Sequence, residues 1–430
     1  MKLFSIIVAL SMMFTTTTVS AQQFTNSTQT QYIQQYAVES AYTQYSYDNW
    51  FGLTKEQKLQ DMEYLYQTLQ QNYPYIKMLK RMYNVDLEKE YQKAIKEIEN
   101  SKTDFEFYAI VNHFTNQSNM VGHLSTISPF DYDWFVKSYS DTTGVPEFYW
   151  GQMEKIKKVY ADEKAKKAYT ALKNKMLPLV QKNTALQQYQ NKKSNVETKI
   201  IEKGKIAYIY VDSFDMGYYE EDKKKLFDFY KQIENYDNVI FDFTENSGGG
   251  MFYFNDLIAA PNIDNILYTK VYELMQSGKY NMQFFGQDGF ESIEKLPKLP
   301  KINQDDIKEL DLMLESAYFI QPSQKQKMLK GKLWILVNQN VFSSSEYAAM
   351  FSKATGFATL VGERTGGDGI GSDPLPILLP NSGIIVRYSP IYGITADGTN
   401  SQEFGTEPDI WVEKGKTYLQ TCIDEIKKQK

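Results

Sequence analysis

Three consecutive serines, Ser343-Ser-Ser345, end the stretch Lys332-Leu-Trp-Ile-Leu-Val-Asn-Gln-Asn-Val-Phe-Ser-Ser-Ser-Glu346, which runs on into Tyr347-Ala-Ala-Met-Phe-Ser352. The apolar β-formers from Leu333 to Val337 predict a short buried strand, and the Ala/Met/Phe spacing after Ser345 predicts a helix. The serines therefore fall on a strand-to-helix turn. Such a turn lifts a side chain clear of the sheet and aims the first helix N–H groups at whatever it attacks, which suits a nucleophile. The same residues also spell a capping box, Ser343-x-x-Glu346, which satisfies helix N–H groups without chemistry, and on this stretch alone capping is the simpler reading.

Serine hydrolysis needs a base, and the chain holds only two histidines. His113 stands inside a predicted helix next to Phe114, where packing or a surface role suffices. His123 stands in Asn119-Met-Val-Gly-His-Leu-Ser125, just past a helix end and beside a glycine, a loop context that can present an imidazole to a cleft. A third stretch, Asp242-Phe-Thr-Glu-Asn-Ser-Gly-Gly-Gly250, is a glycine-rich turn after a strand. Its N–H groups can cradle an anion, either a phosphate or a developing oxyanion, or it can be a plain tight turn. The phosphate reading lacks the Lys-Ser/Thr of a P-loop. Two isolated histidines and one cysteine make no metal-ligand set, so no metal or cofactor is expected.

The elements that must position these residues follow from periodicity. A capping box at Thr54-x-x-Gln57 opens an amphipathic run ended by Tyr73-Pro74-Tyr75, and a second box at Thr103-x-x-Glu106 opens another helix. Lys155 to Gln190 reads as a helical stretch broken at Pro178. From Lys205 the texture changes. Ile206 to Val211 and Val239 to Phe243 read as strands flanking a helix at about Glu220 to Glu234, a βαβ-type unit implying a mixed or parallel sheet covered by helices. Strands resume at Leu333, Ala358 to Val361, Ile384 to Tyr388 and Ile410 to Val412, while 277–325 shows few strand signals and is expected to be an insertion, a candidate lid.

The 430 residues are 42% hydrophobic and 23% charged, enough for a real core. A net charge of -6 argues against nucleic acid as the main partner. The basic start Met1-Lys2, the apolar run Ile6 to Phe14 and Val19-Ser20-Ala21 predict a secretory signal peptide cleaved after Ala21, and hence a secreted or periplasmic protein. That run is too short for a permanent span, no other segment approaches transmembrane length, and the single Cys422 excludes an internal disulfide. The expected organisation is a signal peptide at 1–21, a loosely ordered lead-in at 22–50, a mainly helical region at 51–200 and an α/β core at 201–430.

Taken together and in order, these stretches resemble the C-terminal processing (tail-specific) serine peptidases. Asp242-Phe-x-x-Asn-x-Gly-Gly249 is similar to their D-L-R-x-N-x-G-G turn and Ser343-Ser-Ser-Glu346 to their S-A-S-E segment. Gly362-Glu-Arg-Thr-Gly-Gly-Asp-Gly369 resembles G-E-x-T-F-G-K-G, and Gly405-Thr-Glu-Pro-Asp409 resembles G-(V/I)-x-P-D. Asn72-Tyr-Pro-Tyr75 and Val121-Gly-His123 are similar to elements of the branch containing the tricorn core peptidase and the retinoid-binding repeats of the retina. The resemblance covers about Thr54 to Val412 and implies a crotonase-like (ClpP/crotonase-type) α/β fold with an N-terminal helical subdomain.

Asp368 stands where the Ser-Lys members carry their catalytic lysine, so the resemblance implies the Ser-His-Glu chemistry of the tricorn-like branch. On that basis Ser343 is the nucleophile, His123 its base and Glu403 the carboxylate that orients the base, with Glu363 and Glu407 close in sequence. The N–H groups of Gly249 and Ser344, with Gly248 beside them, form the implied oxyanion hole. If the base is not histidine, Lys353 is the lysine to consider. No PDZ-like carboxylate-binding pattern lies between Ser125 and Lys203, so selection of C-terminal tails is not expected. The expected activity is hydrolysis of peptide or protein substrates through an acyl-enzyme. The rival is a non-catalytic protein of the same fold that binds a peptide or a small apolar ligand.

Overall fold

The computed structural model describes residues 52–181, 194–286 and 289–429. The expected signal peptide and lead-in lie outside them. The fold is α/β, built on a six-stranded mixed sheet in the order Ile410–Trp411, Thr359–Gly362, Lys332–Val337, Asn238–Asp242, Ile206–Val211, Val196–Glu202. The first five strands are parallel and the sixth pairs antiparallel at the edge. Continuous apolar runs are what a sheet covered on both faces requires. Alternate residues serve the two faces: Val239, Phe241, Leu333, Ile335 and Val337 pack under the helices Tyr219–Ile233 and Ser344–Thr355, whereas Ile206, Ile240, Trp334 and Leu336 meet Cys422 and Ile426 of the C-terminal helix Tyr418–Lys428.

Between Lys55 and Gln181 the described chain is mainly helical, and both predicted capping boxes are formed, at Thr54 and Thr103. The helical stretch after 155 does not break at Pro178. One helix ends at Tyr160 and the next runs from Glu163 to Gln181, because Asp162 Oδ1 accepts the Lys164 N–H at 2.8 Å and starts a new helix there.

Of two smaller sheets, only the strand expected at Ile384 to Tyr388 was read in the sequence. One joins Ser125–Thr126, Ile385–Tyr388 and Leu375–Leu378. The other orders Tyr392–Thr395, Leu267–Met275, Leu312–Ile320 and Glu291–Ser292, so the expected insertion contributes a nine-residue strand paired along its whole length with Leu267–Met275. Polar or small residues such as Glu315 and Ala317 occupy the exposed face of that strand and hide its period.

Candidate active site

The strand Lys332–Val337 delivers the chain to Ser343, which caps the helix Ser344–Thr355 in a conformation of φ 60°, ψ −126°. L-residues rarely hold such an angle, and it persists only where surroundings impose it. Ser343 N–H donates to Gly367 O at 3.0 Å, Tyr347 N–H to Ser343 O at 2.9 Å, and Ser345 Oγ to Asn246 O at 2.5 Å. The capping box is absent: Ser343 makes no side-chain cap, and Glu346 turns away to accept from Thr406 Oγ1 at 2.7 Å. Ser343 Oγ instead lies 3.1 Å from His123 Nε2.

His123 reaches this point from a tight turn held by two buried tyrosines. Tyr73 donates its hydroxyl to Val121 O at 2.7 Å, and the rings of Tyr73 and Tyr75 press on Gly122, where a Cβ would meet Tyr75 Cδ2 at 2.5 Å. Asn72-Tyr-Pro-Tyr75 therefore works as the seat of the histidine turn. Gly122 N–H donates to Gln402 Oε1 at 2.8 Å and Ser389 N–H to Gly122 O at 2.6 Å, which fix the same turn from the other side. The Phe342 ring sits 4.8 Å from the imidazole.

The second ring nitrogen, Nδ1, is 2.5 Å from Asp368 Oδ2. Asp368 has φ 61° and His123 φ 55°, so all three members of the relay, Ser343 included, hold a positive φ. Gly367 and Gly369 flank the aspartate because neighbours leave no room: a Cβ on Gly367 would approach Ser401 O to 2.6 Å, and one on Gly369 the Tyr347 N to 2.5 Å. Burial of His123 outweighs the pull of the Asp368 carboxylate and, with the nearby charge of Arg387, holds its pKa below the ordinary value of 6.5. The imidazole is thus neutral and able to accept a proton.

Glu403 is not brought to His123. It lies in the short helix Ser401–Phe404 and gives both carboxylate oxygens to Arg81, at 2.9 and 2.6 Å, while Arg81 also holds Asp306. Its neighbours Ser401 and Gln402 do the positioning: Ser401 Oγ accepts from Gly369 N–H, and Gln402 from Gly122 N–H. Glu363 accepts from Tyr418, and Glu407 pairs with Arg364. Lys353 donates to Glu407 O at 2.6 Å, and His113 sits exposed on its helix beside Gln117. The signal for Asp368 was its place between glycines, where Asp tolerates left-handed backbone, but that reads equally as an ordinary turn residue.

The glycine-rich turn lies against the nucleophile, since a Cβ on Gly248 would come within 2.9 Å of Phe342 O and 3.0 Å of Ser343 Cβ. Gly248 is not a free donor, because its N–H goes to Asn246 Oδ1 at 2.9 Å. Among the described residues the Gly249 and Ser344 N–H groups meet no acceptor. Asp242 closes the base of the turn, accepting from Thr244 N–H and Oγ1 and from Tyr208. The cleft in front is a cavity of about 590 Å³ lined by Ser343, His123, Gly249, Tyr149, Tyr318 and Arg387, among others. No cluster of three or more His, Cys, Asp or Glu among the described residues could hold a metal ion.

Residues 205–412 match Peptidase family S41, a span that includes Ser343 and Asp368 and leaves His123 outside. Among solved structures, the chain is similar to a protein of Parabacteroides merdae ATCC 43184 described as a candidate peptidase, at 19% identity and a TM-score of 0.53, over 86% of this chain and 96% of that one. Mature CPAF is similar at 11% identity and a TM-score of 0.51, over 87% of this chain and 96% of its own. At these identities the likeness is one of fold. No curated protein sequence matches the chain.

Proposed function

We propose, from the match of residues 205–412 to Peptidase family S41, that the chain is a serine-type peptidase acting on a peptide or protein and that it cleaves peptide bonds through a Ser343–His123–Asp368 triad. The observation carrying this reading is the unbroken relay from Ser343 Oγ to His123 Nε2 at 3.1 Å and from His123 Nδ1 to Asp368 Oδ2 at 2.5 Å. Ser343 Oγ attacks the scissile carbonyl while His123 Nε2 takes its proton, and Asp368 accepts the Nδ1–H, fixing the tautomer and steadying the imidazolium. Negative charge develops on the carbonyl oxygen toward the Gly249 and Ser344 N–H groups. His123 then gives its proton to the departing amine, and a water deprotonated by the same nitrogen releases the acyl group from Ser343.

Among the described residues no helix is long and apolar enough to cross a membrane. The signal-like 1–21 segment is the feature that supports export, which mass spectrometry of the secreted chain would check by finding Gln22 at its start. The test of the site is a serine-directed fluorophosphonate. The adduct is expected on Ser343; an adduct on Ser344 or Ser345 would move the nucleophile, and none in the folded protein would favour a non-catalytic binding protein.

A further inference from the structure

Arg387 lies on the strand Ile385–Tyr388, in register opposite Ser125, two residues beyond the histidine. Its guanidinium sits 5.0 Å over the Phe135 ring and lines the same cavity as Ser343 and His123. Nε is buried without a hydrogen-bond partner, and among the described residues the side chain makes no ion pair. A guanidinium carries five donors, and leaving its buried Nε–H without an acceptor is costly unless something else arrives to use the fork. Asp373, another lining residue, feels the Arg387 charge without pairing with it. The Phe135 ring lies 5.0 Å from the guanidinium carbon, and a guanidinium fork matches a planar carboxylate.

We propose that Arg387 is a specificity residue that receives a carboxylate of the peptide substrate beside the Ser343–His123 pair. The carboxylate is either the C-terminal one or an Asp/Glu side chain. This rests on the peptidase reading above and supplies, inside the catalytic cleft, a carboxylate site that needs no separate tail-binding domain.

The experiment uses two pairs of peptides, one differing only in a free or amidated C-terminus, the other only in Glu or Gln near the cleaved bond. The parent should favour the acid member of one pair by roughly 10- to 100-fold in kcat/KM, the strength of a charge-assisted hydrogen bond, and which pair shows it identifies the source. Arg387→Met should bring that ratio close to one and Arg387→Lys should keep part of it, with fluorophosphonate labelling of Ser343 certifying that each variant is folded. A parent ratio near one in both pairs, or a ratio that survives Arg387→Met, overturns the proposal. Calorimetric binding of acid and amide peptides to Ser343→Ala separates the two readings. Tighter binding of the acid that depends on Arg387, while the parent hydrolyses none of the peptides, keeps the subsite and removes the peptidase reading; hydrolysis by the parent with no acid preference does the reverse.

Discussion

Two acidic loops, 366–369 and 400–405, lie against each other, and only one delivers a carboxylate to the histidine. Asp368 stands at positive φ between two glycines, its N–H bonded to Ser401 O at 3.3 Å, and its short side chain ends at His123 Nδ1. Glu403 is the longer acid on an ordinary helical turn, its N–H held by Asn400 and its carboxylate spent on Arg81. Backbone conformation, more than residue type, decides which acid faces the cleft. The 400–405 loop contributes scaffolding through Ser401 and Gln402, and the 366–369 loop contributes the charge.

The largest effect belongs to neither acid and sets the floor for comparing them. Ser343→Ala should lower kcat by on the order of 10⁶-fold, as loss of a triad nucleophile does. Because Ser343 makes no cap hydrogen bond, that change should leave the thermal midpoint nearly unmoved, whereas Ser343→Gly should raise stability by about 1 kcal/mol by relieving the positive φ. A large loss of stability in the alanine variant would mean the capping role is real.

The comparison itself is broken most directly by exchanging charge for amide at each acid. Asp368→Asn should cost about 10⁴-fold in kcat through the wrong histidine tautomer. Glu403→Gln should cost less than about tenfold, since a partly exposed ion pair with Arg81 contributes only about 0–1 kcal/mol. Kinetics showing the reverse order would restore Glu403 as the orienting acid.

The pH profile sharpens the same contrast. With burial holding the His123 pKa below 6.5, the acid limb of kcat/KM should fall below that value, not above it as a dominant carboxylate would require. Asp368→Asn removes the group that pulls the pKa upward, so its residual activity should persist to still lower pH; Glu403→Gln should leave the limb in place. Because the unfolded chain binds the His123 proton more readily, this site adds stability as pH rises toward about 6.5 and none beyond.

How much of this was legible depended on the kind of signal. The parallel strands showed themselves as apolar runs because both their faces are buried, and Ser343, His123 and Gly249 showed themselves through turn context and ordered motifs. Leu312–Ile320 and Val196–Glu202 did not, because an exposed face dilutes the period of two with charge. Asp368 was noticed only as a displaced lysine. What makes it a partner of His123 is contact across 245 positions, which no local spacing encodes. Gly248 is the opposite case, since the Asn246 that binds its N–H lies two residues away, within its own turn.

The smallest expected effect concerns a third acid, behind the first. Glu346 is 1% exposed, its Oε1 accepts from Thr406 and its Oε2 meets no partner. It packs directly beneath the aspartate loop, since a Cβ on Gly369 would come within 2.6 Å of Glu346 Cγ. Burial, reinforced by the negative charge of Asp368, pushes its pKa from 4.5 up to about 8. At neutral pH it is therefore protonated. Between about 4.5 and 8 the folded chain holds a proton the unfolded chain has lost, so stability from this group is fully present below that window and drains away as pH rises through it, by on the order of a few kcal/mol. Glu346→Gln is a neutral isostere of the protonated acid. It should keep kcat within about threefold, because truncating no atom near Ser343 leaves the relay intact. Urea midpoints at pH 5 and pH 9 should show the parent weakening at the alkaline end relative to the variant. Parallel midpoints would mean that Glu346 is ionised throughout, that two negative charges lie behind His123, and that the assignment of a single orienting charge to the 366–369 loop is wrong.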